Sequence, residues 1–269
     1  MRAADFAYLD VPTPIGLAHR GGALHADNIA RENTLAAFRT AVRLGYQYLE
    51  TDVHATADGQ LLAFHDSHLD RVTDASGAVA EMPYAAVREA RINGTDEIPL
   101  LAHLLEEFPQ ARINIDVKAS GAVAPLAETL RAHRAVERVC VGSFSEQRLR
   151  AVRRLLGPRL ATAAGTLGVA ALRFSPSALS RWIRTPSPVL QIPPHHLVAG
   201  RRVELVTPGL VDTVHRLGKH LHVWTIDDAA EMHRLLDLGV DGIVSDRIDV
   251  LAGVLASRGA PLGRPVTRE

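Results

Sequence analysis

His19-Arg20-Gly21-Gly22, Glu50-Thr51-Asp52-Val53-His54 and Phe64-His65-Asp66 each lie at the end of an apolar run. Together they hold two histidines suited to moving protons near neutrality and two carboxylates for a divalent cation. They also hold an arginine whose planar fork suits phosphate oxygens. Those are the parts that breaking a phosphodiester requires. Glu50 and Asp52 are two residues apart, so on a strand both point to the same side. Like charges so placed repel and push one pKa upward, a conflict that a bound cation removes. Asp116, late on the next predicted strand, can add a third oxygen. An all-oxygen set suits Mg2+ or Ca2+, with Mn2+ a further option, better than Zn2+. The competing reading pairs Glu50 and Asp52 with Arg20 and Lys118 and binds no metal. Lys118 itself stays open between a phosphate contact and a structural partner. Trp224 stays open between an apolar wall for a substrate and simple packing.

The elements that must carry these residues alternate between short β-like runs and amphipathic helical stretches. Strands are predicted at 15–20, 46–56, 113–118, 139–144, 160–164, 189–193, 221–226 and 242–245. Asp58-Gly59 is a hairpin signal, and 61–65 runs back from it. Helices are predicted at 33–44, 99–108, 122–134, 146–156, 166–173, 208–217 and 228–237, with a last one from Ile248. Strands separated by helices imply parallel βαβ units. Leaving out the return strand, eight such units point to a closed (β/α)8 TIM barrel, with an open doubly wound sheet as the alternative. Residues 66–98 are polar and weakly periodic and read as a small insertion after the second-strand hairpin, within a single domain spanning 1–269. On a barrel, active sites form at the C-terminal strand ends. His19, Arg20, Glu50, Asp52, Asp116, Lys118, Ser143, Trp224, Thr225 and Asp246 all fall there.

Bulk properties narrow the function classes. Lysine plus arginine equals aspartate plus glutamate, 30 each, which argues against a protein built mainly to hold nucleic acid. Among the 13 histidines, His103, His133, His215 and His233 lie on predicted helices and read as packing or surface residues. His195 and His196 follow a strand end and are rim candidates. The one cysteine, Cys140, reads as a small buried hydrophobe. Met1 to Pro14 has no apolar leader core, and no apolar run is long enough to span a bilayer. A cytoplasmic location is the expectation, without stable membrane association. The Arg-, Gly- and Pro-containing tail from Gly259 and the Pro-rich stretch 176–188 carry no strong element signal.

These residues, in order, resemble the glycerophosphodiester phosphodiesterase family. The similarity runs through His19-Arg20-Gly21-Gly22 with Glu32-Asn33-Thr34, and then Leu49 to Thr56 with Asp58-Gly59 and His65-Asp66. It continues with Leu69-Asp70-Arg71, Thr73 and Gly77, Ile115-Asp116-Val117-Lys118, Ser143-Phe144, Val223-Trp224-Thr225 and Gly239 to Asp246. The resemblance covers roughly residues 15–250. It implies a (β/α)8 barrel and metal-dependent hydrolysis of a small glycerophosphodiester to an alcohol and glycerol 3-phosphate. It implies His19 and His65 as the acid–base pair and Glu50, Asp52 and Asp116 as metal ligands. Arg20 and Lys118 would contact phosphate or stabilise charge. Two positions depart from the family pattern. Aspartate stands at 116 where the family usually has glutamate, and Pro99-Leu100-Leu101-Ala102-His103 stands where acidic residues are usual. Two rival functions remain: a lysophospholipase D or sphingomyelinase-D-like lipid enzyme, and a barrel that binds a phosphorylated metabolite without turnover. The first needs an apolar groove near the mouth, which 66–98 does not offer. The second has no use for both His19 and His65.

Overall fold

A computed structural model describes all residues except 176–181, 184, 199, 261 and 263–269. In chain order the elements are β1 Ile15–His19, α1 Leu35–Arg43, β2 Tyr48–Ala55, β3 Leu61–Ala63, α2 Tyr84–Val87, β4 Arg91–Ile92, β5 Asp96–Glu97 and α3 Leu101–Glu107. They continue with β6 Arg112–Val117, α4 Val123–Ala132, β7 Val139–Gly142, α5 Glu146–Leu156, β8 Ala161–Thr162, α6 Thr166–Phe174 and β9 Val189–Ile192. The last are β10 His195–Val198, β11 Arg201–Glu204, α7 Pro208–Arg216, β12 His220–Val223, α8 Ala229–Asp237, β13 Gly242–Ser245 and α9 Ile248–Ser257. The barrel runs β8-β7-β6-β2-β1-β13-β12-β9, with β3 paired antiparallel to β2. The seam between β8 and β9 is joined by the parallel bridge of Ala163 and Val189. Eight parallel strands ringed by helices form the expected (β/α)8 barrel, closed by one short seam.

Two apolar layers hold it. The larger lies between strands and helices, where outward residues such as Leu49, Ile113 and Ile243 meet Phe38, Leu126 and Leu251. The smaller fills the barrel from its N-terminal end: Leu17, Tyr48, Cys140, Ala161 and Val244 pack on Ala3, Phe6, Tyr8 and Leu9 of the leading segment. Tyr48 donates its hydroxyl to the Tyr8 carbonyl at 2.5 Å, so the first residues plug the floor of the barrel. Cys140 is fully buried in this plug, and burial pushes its thiol far above the usual range, as a packing role requires.

Residues 66–98 share a separate buried cluster with the return strand: Leu62 and Phe64 pack with Leu69, Val79, Ile92 and Ile98, and β4 and β5 form a small hairpin. The β10–β11 hairpin is absent from the sequence-based reading, which places no element at 195–204. Most of the tail from Gly259 and part of the Pro-rich stretch lie outside the described residues.

Candidate active site

The loop after β1 is shaped by residues that only a few types can replace. Gly21 and Gly22 have φ of +84° and +90°, a region open mainly to glycine. A Cβ on Gly22 would stand 2.5 Å from the Ile248 side chain. Arg20 itself has φ 50°. Asn28 donates to the Gly21 carbonyl at 2.9 Å. Thr34 caps α1 by accepting from Ala37 N at 3.1 Å, an interaction worth about 1 kcal/mol. Thr51 donates to Asn33 Oδ1 at 2.8 Å. The Glu32-Asn33-Thr34 motif thus ties the β1 loop to β2 and aims Arg20 into the mouth.

The register of the sheet brings the remaining groups together. His19 pairs with Glu50 across β1–β2, and Asp52 pairs with Asp116 across β2–β6. His19, Arg20, Glu50, Asp52, His65, Asp116, Lys118 and Trp224, the residues given catalytic, metal or substrate roles from the sequence, line one cavity of about 750 Å3; Ser143, Thr225 and His196 line it too, while Asp246 and His195 do not.

Each histidine is fixed through Nδ1. His19 Nδ1 donates to Asp246 Oδ1 at 2.8 Å, and His65 Nδ1 donates to Asp66 Oδ1 at 2.5 Å. That leaves Nε2 of each ring as the atom available for proton exchange; Nε2 of His19 is 3.7 Å from Glu50. Burial disfavours the His19 cation, but Glu50 and Asp246 outweigh it and raise the pKa above the ordinary value. Asp246 is held in turn by Asp227, which accepts from the Asp246 and Arg247 amides at 2.8 and 3.1 Å. His54 Nε2 donates to the His65 carbonyl at 3.0 Å, bracing His65 from below.

The cations and carboxylates are interleaved. Lys118 Nζ lies 2.9 Å from Asp52 and 2.6 Å from Asp116. Arg20 binds Glu32 at 3.0 Å. Its Nε is 3.2 Å from Asp52 Oδ2 yet is not aligned to donate, and has no hydrogen-bond partner among the described residues. Arg20 nevertheless lines the cavity, and a guanidinium there is suited to an incoming anion. Glu32 also accepts from Arg71 at 2.6 Å, and Arg71 reaches Asp66 at 2.5 Å. Burial raises Asp66, but Arg71 and His65 outweigh it and hold its pKa at about 2. One ionic chain therefore runs Lys118–Asp52–Arg20–Glu32–Arg71–Asp66–His65 around the mouth.

Among the described residues no three His, Cys, Asp or Glu side chains stand in a metal-holding arrangement. For Glu50 and Asp52 the sequence left metal ligation and pairing with Arg20 and Lys118 open; Lys118 pairs with Asp52 and Asp116 and Arg20 lies beside Asp52, whereas Glu50 accepts from the Arg20 backbone amide and faces His19. The donor chemistry nevertheless fits a hard divalent cation, and Lys118 stands as a cation between Asp52 and Asp116. Glu50 carries the deficit. Burial, then Asp52, push its carboxyl up to about 7, whereas Lys118 and Arg20 overcome burial to hold Asp52 below the usual range.

This asymmetry has a measurable sign. A raised carboxyl pKa means the folded state keeps a proton that the unfolded chain has lost, so the Glu50 contribution falls as pH rises from about 4.5 to about 7. His54, His220 and His222, all lowered by burial, act oppositely up to their ordinary titration. The Glu50 part is isolated by comparing Glu50→Gln with wild type in chelator. The variant's stability advantage should grow between pH 5 and 7 and level off above, reaching up to about 3 kcal/mol. Thermal melts that stay parallel across that range would contradict the assignment.

Sequence reasoning placed Asp246 at a strand end without a role, used Asp66 only as the charged neighbour that singles out His65, and quoted Glu32, Arg71 and His54 only as parts of motifs. The signal for Asp66 was present, a carboxylate directly after a candidate histidine, whereas Asp246 meets His19 only once β1 lies against β13. His196 lines the cavity as a rim residue on β10, while His103 does not line it.

A (β/α)8 barrel whose mouth combines two carboxylate-held histidines with an arginine and a lysine set among carboxylates defines a class of enzyme, one equipped for acid–base work on an anion. Residues 19–250 match the glycerophosphoryl diester phosphodiesterase family, and the chain belongs to that family. It is 39% identical over 249 residues, covering 91% of this chain and 92% of the relative, to the "probable glycerophosphodiester phosphodiesterase 2" of Mycobacterium tuberculosis. Among solved structures it is similar to a glycerophosphodiester phosphodiesterase of Agrobacterium tumefaciens at TM-score 0.71 and 25% identity, covering 90% of this chain and 99% of that one. It also matches an Oleispira antarctica phosphodiesterase, solved with the product sn-glycerol-3-phosphate, at TM-score 0.75 and 23% identity, covering 91% and 97%. No helix among the described residues is long and apolar enough to cross a membrane.

Proposed function

We propose that this chain hydrolyses glycerophosphodiesters to an alcohol and glycerol 3-phosphate with His19 and His65 as the acid–base pair. The observation that carries the reading is the pairing of Nδ1 of both rings to carboxylates inside one cavity with Arg20 and Lys118. One histidine takes the proton of the glycerol hydroxyl next to the phosphate, and that oxygen attacks phosphorus. The other histidine protonates the leaving alcohol oxygen. The two then exchange roles as water opens the cyclic phosphate, so a proton leaves and returns at each Nε2. The Arg20 guanidinium, which lines the cavity, donates to a phosphate oxygen, and Lys118 offsets the charge that builds there. Trp224 forms part of the wall beside the reacting diester.

Divalent-cation dependence is general in the family. Glu50 and Asp52, with Asp116, are the residues that would hold such an ion. It would supply Lewis-acid polarisation of the phosphate. Lys118 would have to give up Asp52 or Asp116 for the ion to seat. Mg2+ and Ca2+ suit this oxygen set, and the shorter side chain at 116 makes Mn2+ worth including. The test is a turnover screen across glycerophosphodiester head groups with each of the three ions. Glycerophosphocholine or a related diester should turn over with at least one ion and lose nearly all rate in chelator. Full rate in chelator would remove the metal from the proposal, and no turnover of any diester would remove the proposal itself.

A further inference from the structure

The floor of the cavity has a polar chemistry that the steps at the two histidines do not use. Val189 belongs to the apolar plug. Gln191, two residues further along β9, points to the same side one layer nearer the mouth. Its Nε2 donates to Asn114 Oδ1 on β6 at 2.8 Å and lies 3.5 Å from Nδ1 of His222, the residue beside it on β12. The amide pair thus reaches across the barrel interior from β9 to β6. Asn114 stands beside Glu50 in the sheet, two residues before Asp116, and so lies deeper than the charges of the rim. It is only 6% exposed. Burial pushes His222 down to about 3, so its ring is neutral and Nδ1 can accept from Gln191.

These contacts commit one end of each amide. Both side chains line the cavity, and what remains for it is an acceptor, Gln191 Oε1, and a donor, Asn114 Nδ2. Neither atom has a further hydrogen-bond partner among the described residues. Turning both amides over would exchange the roles and still leave one donor and one acceptor. Gly142 keeps Gln191 uncovered: it lines the cavity too, and a Cβ on it would stand 3.5 Å from Gln191 Oε1. A neighbouring donor and acceptor match an alcohol hydroxyl, which gives a proton and takes one, whereas a phosphate oxygen only accepts. Buried amide atoms left without a partner are costly, so this floor favours a ligand that supplies both. We infer that Asn114 and Gln191 hold the terminal hydroxyl of the glycerol arm and so select glycerol at the side of the diester that attacks. The inference rests on the proposed hydrolysis and deepens it by saying which half of the diester lies at the bottom. The attacking arm stays through both steps, while the other alcohol departs after the first, so the closed floor suits the former and the open mouth the latter. A hydroxyl anchored at the far carbon also restricts rotation of the carbon that bears the nucleophile.

The test is calorimetry, with Mg2+ present, on sn-glycerol 3-phosphate and on the propane-1,2-diol 1-phosphate of matching configuration, which lacks only the terminal hydroxyl. The protein should bind sn-glycerol 3-phosphate about ten- to a hundredfold more tightly, because the analogue leaves the floor unmatched. Gln191→Met, close in volume, and separately Gly142→Ala, whose Cβ would meet only Gln191 within 4 Å, should each cut that ratio at least about fivefold. The analogue should keep its affinity within about twofold, whereas a purely structural role would weaken both ligands alike. Equal affinities in the unaltered protein, variants that keep its ratio, or no binding of either phosphate would overturn the floor. Glycerophosphodiester turnover separates the two readings. Discrimination without turnover would remove the hydrolysis and leave the floor, and turnover without discrimination would remove the floor alone.

Discussion

His19→Ala and His65→Ala should each lower kcat on a glycerophosphodiester by about a thousandfold, the middle of the range for a positioned acid or base. The expectation follows from how both rings are held. Nδ1 of each is committed to a carboxylate, so the proton traffic of each ring passes through Nε2. Asp246→Asn should reproduce most of the His19 loss with the ring still in place, because an amide can fix the wrong tautomer, as in the handling of histidine by an aspartate in serine proteases. The double variant should lose little more than either single one, since residues acting as a unit are not additive. Circular-dichroism melts would verify that the fold survives. A single alanine variant with more than a tenth of wild-type kcat would remove that histidine from the acid–base pair.

Arg20→Ala should lower kcat/KM by about a hundredfold to a thousandfold. Arg20 and Lys118 each lie against two carboxylates, but only Arg20 presents a planar fork that can hold one carboxylate and still offer N–H groups to a phosphate. Arg20→Lys should recover only a small part of the loss, since an ammonium on a flexible stem replaces charge but not the planar fork. Arg71→Ala should be milder, roughly tenfold in kcat, because Arg71 acts through Glu32 and Asp66. If Arg20→Lys restored nearly full kcat/KM, charge alone would account for the residue and the oriented donor would be dispensable.

Much of this site could be read from the chain because strand ends are local. An apolar run that stops at a histidine, an arginine or a carboxylate marks a barrel lip wherever the run folds, and the eight-strand rhythm then places the lips in one ring. The partners were harder to read. That His19 would rest on Asp246 depends on β1 closing against β13, and that Arg71 would join Glu32 to Asp66 depends on how the insertion folds back. Neither is a property of a window of sequence. The β10–β11 hairpin was missed for another reason: His195-His196-Leu197-Val198 follows two prolines and mimics a loop, and Ala199-Gly200 is a weak turn signal. The ionic state of the carboxylates also depends on geometry, because spacing alone cannot say whether Lys118 lies between Asp52 and Asp116.

The join of β1 to β13 has a kinetic meaning as well. Ile15 to Ala18 pair with Gly242 to Ser245, and His19 meets Asp246 across a sequence separation of 227. The Ala3 amide donates to the Gly218 carbonyl, so the plug too waits for distant chain. Contacts of such separation form late, after the loop-closure entropy has been met. A partly folded chain can therefore hold Glu50, Asp52, Asp116 and Lys118 on neighbouring strands while His19 still lacks its carboxylate. Regain of activity on refolding should track the slowest phase, and a ribosome-bound chain should remain inactive until nearly its whole length has emerged.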